Sequence, residues 1–137
     1  ENWENNYAAR LGLGVAVNYA LDAGLADIWE RIQVLAGTLR DGLSPIPGVE
    51  VRDIGRVQCG IVTFTLEDVD ALDIKAALAT RRINVSVSNP SSTLLDASRR
   101  NLPPVVRASV HYYNDDAEIA RLLEAISALS NEKDQRR

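Results

Sequence analysis

Methionine is absent from this sequence, and cysteine and histidine occur once each, as Cys59 and His111. A single thiol excludes an internal disulfide and any metal site built from several thiolates. A lone histidine with no Cys/His or Ser/His/Asp spacing around it supports a packing or hydrogen-bonding role over general-base work. Lysine is scarce as well: Lys75 and Lys133 stand against thirteen arginines, and the net charge is -4. The arginines fall in scattered pairs (Arg81-Arg82, Arg99-Arg100, Arg136-Arg137) without aromatic interleaving, so no nucleic-acid surface is expected. No apolar run approaches the roughly 20 residues of a membrane span. The opening ENWENNYAAR lacks the basic-then-apolar pattern of a secretory signal. Glycine-rich phosphate loops, zinc spacings and nucleophile elbows do not occur. Because the chain begins at Glu1 and holds no methionine, it is expected to be a piece of a longer protein.

What is present is one domain's worth of chain: 137 residues, 46% hydrophobic and 25% charged, enough for a single core. Residues 1–23 predict a helix from the spacing of Trp3, Tyr7, Leu11, Ala16, Tyr19 and Ala20, with Gly24 closing it. Gly12 and Gly14 inside it cost about 1 kcal/mol each relative to alanine, which suggests close approach to another backbone or, more plainly, a local distortion. The segment is apolar enough to predict packing on something outside this sequence. Residues 25–43 form a clearer amphipathic helix, with Ile28, Ile32, Leu35 and Leu39 inward and Asp27, Glu30, Arg31, Arg40 and Asp41 facing water. Pro45, Pro47 and Gly48 then break the chain. Strands are predicted at 49–54 and 59–66, the second carrying Cys59 as a small buried residue. Asp70 and Asp73 cap a helix running to about Arg82, with Leu72, Ala76 and Leu78 inward. INVSVS at 83–88 alternates as a strand, and 89–104 reads as a long loop.

Residues 105–118, VVRASVHYYNDDAE, hold the most information. Val106, Ala108, Val110 and Tyr112 alternate with Arg107, Ser109, His111 and Tyr113, a strand with two unlike faces. Asp115 and Glu118 then stand at capping-box spacing before a last helix bearing Ile119, Leu122, Leu123, Ile126 and Leu129 on one face. Residues 131–137 read as a polar tail. The element order predicts an α+β fold: a small, largely antiparallel sheet of three to four strands with helices packed on one face.

Arg107 is the foremost candidate for a site. Arginine on an apolar strand needs an anion, and its fork matches a carboxylate bidentately. The partner is either an internal acidic side chain or a bound substrate. The segment SVSNPSST offers Ser86, Ser88, Asn89 and Ser91 as lining for a ligand cleft, or merely forms a solvated turn. Asp115, Asp116 and Glu118 read as helix-start charges rather than metal ligands.

VVRASVHYYNDDAE closely resembles the end of the small C-terminal domain of the class V aminotransferase family, which includes the cysteine desulfurases. The likeness extends, in the family's order, through WENNYAARLGLGVAVNYAL, PGVEVRDIG, CGIVTFT and RRINVSVS, nearly the whole chain. The resemblance implies a pyridoxal-phosphate enzyme acting on an amino acid, with Arg107 binding the substrate α-carboxylate. Asn114 and Asp115 then correspond to the turn that opens the last helix. It implies residues 1–24 as a linking helix toward an N-terminal large domain, 25–130 as the small domain and 131–137 as a tail. It further implies a cytoplasmic homodimer.

Two departures shape this expectation. One desulfurase group carries a second arginine and a persulfide-forming cysteine where this chain has Ser86 and Ser91, and Cys59 lies on a different strand. A cysteine-dependent desulfurase mechanism is therefore not expected, and an aminotransferase, epimerase or carbon–sulfur lyase of the same family stays open. Neither Lys75 nor Lys133 suits a Schiff base, so the cofactor's lysine, acidic partner and phosphate site are expected in the large domain. By itself the chain is not expected to catalyse. The alternative is a stand-alone α+β module that binds a small molecule or regulates, holding an anion at Arg107.

Overall fold

In a computed structural model, residues 4–135 are described, apart from the side chain of Asp134. The expected helical start with Trp3, and the pair Arg136-Arg137, lie outside them. Helix α1 spans Tyr7–Ala23, capped by the Asn6 carboxamide accepting the Ala9 N–H at 3.0 Å. No residue of α1 is buried, and open space surrounds Gly12 and Gly14 among the described residues, so the close approach expected there is not seen. Gly24, at φ +87°, turns the chain into α2, Leu25–Leu43, whose bounds match the amphipathic stripe.

Strand β1 (Val49–Val51) and strand β2 (Ile61–Leu66) pair antiparallel, and α3 (Ala71–Thr80) follows from an Asp70 cap. Helix α3 buries Ala71, Ile74 and Leu78; Leu72 and Ala76, expected inward, are exposed. The i, i+3, i+7 spacing of Ala71, Ile74 and Leu78 keeps one face of the helix on the core, and Leu72 lies off it. Strand β3 is short, Ser86–Ser88, because Ile83 leaves the sheet to donate its N–H to Leu78 O at 3.0 Å.

The expected loop at 89–104 is mostly helical. A 3-10 turn, Pro90–Thr93, runs into α4, Leu94–Arg100, which ends at Asn101 in the left-handed conformation at φ +51°. The Leu102 N–H returns to Ala97 O at 2.9 Å, a left-handed closure that satisfies an end carbonyl. Strand β4 covers Val105–Ser109, and α5 runs Asp116–Asp134, four residues into the expected tail.

The sheet order is β1-β2-β4-β3, all neighbours antiparallel. Strands β2 and β3 are therefore parallel, linked through α3, with β4 inserted between them, a split crossover. Val62, Phe64 and Leu66 of β2 and Val106 and Ala108 of β4 point to one face, where they meet Leu35, Leu39 and Leu43 of α2, Ile74 and Leu78 of α3, and Ile119, Leu122 and Ile126 of α5. The α+β expectation, an antiparallel sheet with the core helices on one face, is what the chain forms. Among the described residues no single helix is long and apolar enough to cross a membrane.

Candidate substrate-binding face

The alternation that sends Val106 and Ala108 into the core sends Arg107 and Ser109 to the opposite face of β4. The register places Thr63 of β2 and Ser86 of β3 directly across from Arg107, on either side. Ser88 and Ile61 share this face at neighbouring register positions. The Arg107 guanidinium is exposed and forms no hydrogen bond or ion pair among the described residues; the Ser86 hydroxyl donates to the Arg107 carbonyl at 3.4 Å. An internal salt bridge, one of the two partners open to it, is not formed.

Ser86 and Ser88 therefore join Arg107 on one face. Asn89 and Ser91 do not belong to that row: Asn89 precedes the 3-10 turn and Ser91 lies within it, both exposed on the β3–α4 connection. His111 is exposed, its ring 4.5 Å from Tyr113 and 4.6 Å from Tyr112 in a turn rather than a strand. Asn114 bends the chain there, its side-chain oxygen accepting the His111 N–H at 2.8 Å.

Two expectations about single residues are corrected. Cys59 is exposed and lies ahead of β2; it is its neighbour Gly60 that is buried. Arg40, expected in water, is buried: its side chain is 11% exposed and its Nε donates to Asp53 Oδ2 at 2.8 Å, with Asp53 9% exposed. The same guanidinium donates to Cys59 O at 2.7 Å and Ile61 O at 3.1 Å. Asp53 Oδ1 accepts both the Thr63 N–H at 2.7 Å and the Thr63 hydroxyl at 2.5 Å. Sequence reasoning missed this network because the arginine and the aspartate meet only once α2 and the segment after β1 have docked.

A cleft of about 340 Å³ opens over this network, lined by Arg40, Asp53, Cys59, Ile61, Thr63 and Arg100 among others. A second, of about 380 Å³, lies where Ile83, Asn84 and Val85 leave the sheet, between Ala108, Val110 and the start of α5. Its lining comes largely from the helix-covered side, so it does not share a site with Arg107.

The profile of the family described as Aminotransferase class-V matches residues 4–122. The chain belongs to the class-V aminotransferase family. Within that family a probable cysteine desulfurase of Halalkalibacterium halodurans is 30% identical over 123 residues, covering 87% of this chain and 29% of the relative. A cysteine desulfurase of Serratia proteamaculans is 27% identical over 124 residues, covering 90% of this chain and 30% of that protein. The apo cysteine desulfurase of Thermococcus onnurineus NA1 shares the fold at a TM-score of 0.87 and 23% identity, over 96% of this chain and 33% of that one. A cystine C-S lyase in complex with cysteine persulfide matches 74% of this chain and 24% of its own, at a TM-score of 0.60 and 25% identity. This class-V aminotransferase chain thus spans less than a third of the curated relatives' length.

Neither lysine of this class-V chain is placed to hold the pyridoxal phosphate that the family resemblance implies. Lys75 is exposed on α3. Lys133 is 12% exposed and committed to Glu67 at 2.9 Å and Asp68 at 3.6 Å, so it too is no candidate to hold an aldehyde cofactor. Both lysines stand on helices of the layer away from Arg107.

Proposed function

We propose that this chain is the small domain of a pyridoxal-phosphate enzyme acting on an amino acid, with Arg107 as the group that binds the substrate α-carboxylate. One observation carries the reading: an exposed, uncommitted guanidinium stands on a central strand between two hydroxyl side chains, Thr63 and Ser86. A carboxylate arriving there meets a fork it matches bidentately, which fixes one end of the substrate and orients its Cα. Ser86 and Ser88 border that end of the site, and the exposed connection with Asn89 and Ser91 sets side-chain preference at its mouth.

The cofactor's lysine and phosphate cradle would belong to a large domain outside the described residues, and the whole enzyme would be a cytoplasmic homodimer. Residues 1–24 would link the two domains, which accounts for a helix whose Tyr7, Leu11, Leu13 and Val15 are all exposed. Ser91 leaves the β3–α4 segment without a thiol, so the reading favours transamination, epimerisation or carbon–sulfur lysis over a persulfide on the protein.

The test uses the full-length protein. It should show the visible absorption of bound pyridoxal phosphate, and Arg107→Ala should lower kcat/KM for an amino acid by the equivalent of about 2–5 kcal/mol. A substrate amine lacking the carboxylate should not feel the change. A colourless full-length protein would sink the cofactor assignment; equal kcat/KM in the variant would sink the clamp.

A further inference from the structure

The Asp53 carboxylate is bonded to the hydroxyl of Thr63, the residue directly opposite Arg107 on β2. Residues directly opposite in an antiparallel pair have Cβ atoms about 4.5–5.5 Å apart. A carboxylate bonded to the Thr63 hydroxyl is thus placed as a competitor for the Arg107 guanidinium. It does not compete here because both its oxygens are taken, Oδ1 by Thr63 and Oδ2 by Arg40. Arg40 is itself fixed by the carbonyls of Cys59 and Ile61. The other arginines lining that cleft are occupied elsewhere: Arg52 with Glu50 and Thr65, Arg100 with Asp96 and the Arg52 carbonyl.

We infer that Arg40 is a positioning residue that keeps Arg107 open, acting as the resident counter-ion that holds Asp53 away from it. This rests on the carboxylate-clamp reading of Arg107. With Arg40 gone, Asp53 is a poorly solvated carboxylate without a cation, and Arg107, exposed and uncommitted, stands directly across the ladder from the Thr63 to which Asp53 is bonded. An internal carboxylate on Arg107 then excludes a substrate carboxylate.

The experiment compares full-length, cofactor-loaded variants. Arg40→Met should raise KM for the amino-acid substrate at least tenfold while kcat stays within about twofold, and Arg40→Met with Asp53→Asn should restore KM. Asp53→Asn alone, which leaves the Arg40 side chain in place, should give a KM no higher than the parent. A second readout needs no turnover: the Arg107 Nε–H NMR signal, assigned through Arg107→Lys, should move on adding propionate in the parent and in the double variant, and stay still in Arg40→Met. Unchanged KM in Arg40→Met, no rescue in the double variant, or a raised KM in Asp53→Asn overturns the inference. Should Arg40→Met not fold, Arg40→Gln takes its place in each comparison. Insensitivity of KM to Arg107→Ala overturns the clamp and this inference together; sensitivity to Arg107→Ala with none to Arg40→Met overturns this inference alone.

Discussion

Asp115 and Glu118 hold each other's backbone at the start of α5: the Asp115 carboxylate accepts the Glu118 N–H at 2.7 Å, and the Glu118 carboxylate accepts the Asp115 N–H at 3.2 Å. Glu118 also accepts from the Asn114 side chain at 2.9 Å, so the turn out of β4 and the helix it opens are fastened as one piece. Asp115→Ala removes the acceptor for one of the helix's free N–H groups and should cost about 0.5–2 kcal/mol. Urea denaturation with an unchanged midpoint would show the box to be idle.

Arg40 and Asp53 give a second stability prediction, separate from substrate binding. Removing one member of a buried pair strands the other, and Arg40→Met should cost about 3–5 kcal/mol. Arg40→Met with Asp53→Asn should recover part of that, since asparagine's oxygen still accepts from Thr63 and no charge is left buried. The carbonyls of Cys59 and Ile61 still lose a donor, which keeps the recovery incomplete. A double variant less stable than Arg40→Met would contradict this account of the pair.

How far these features were legible in the sequence depends on where their physics resides. Helix α2 was readable to the residue because a 3.6-period stripe lies between Gly24 and the Pro45 break. Helix α4 was not, since Leu94 and Leu95 are exposed and leave no apolar stripe. Its signals were polar instead: Asp96 bonded to Arg100 four residues on, and Asn101 to close it. Arg107 stood out because it interrupts an apolar strand, but its flanking by Thr63 and Ser86 is a matter of register, which no single strand encodes. Arg40 was unreadable for a like reason. On the helix it is one more polar residue, and only the docked segment after β1 makes it a buried ion.

Close backbone approach was expected at Gly12 and Gly14 and occurs at Gly60. A Cβ there would lie 2.6 Å from Val110 O and 2.7 Å from Ile32 Cγ2, while the Val110 N–H donates to Gly60 O at 2.7 Å. The obstructing atom is backbone, which cannot swing aside. Gly60→Ala should therefore cost about 1–3 kcal/mol through overpacking and loosen the junction of α2 with the ends of β2 and β4. Hydrogen exchange at Val110 should speed up; protection equal to the parent's would mean that the strands absorb the methyl group.

Tyr112 supplies the pH-dependent prediction. Its phenol is pushed above the ordinary value of 10.0, first by the charge of Tyr19, then by a hydrogen bond with Tyr19, then by burial and the charge of Tyr113. Tyr19 belongs to α1 and Tyr112 to the turn after β4, so the titration of one element reports on the other. A group whose folded value is raised keeps its proton more tightly when folded. The stability it contributes is present in full below 10.0 and is lost as pH rises through the folded value. Tyr19→Phe removes the first two causes, so Tyr112 should then titrate closer to 10.0, and the alkaline loss of stability should shrink with it. Ultraviolet titration, with the Tyr112 signal identified by Tyr112→Phe, measures this directly. A Tyr112 that titrates at the ordinary value in the parent, or does not respond to Tyr19→Phe, would mean that Tyr19 does not raise it.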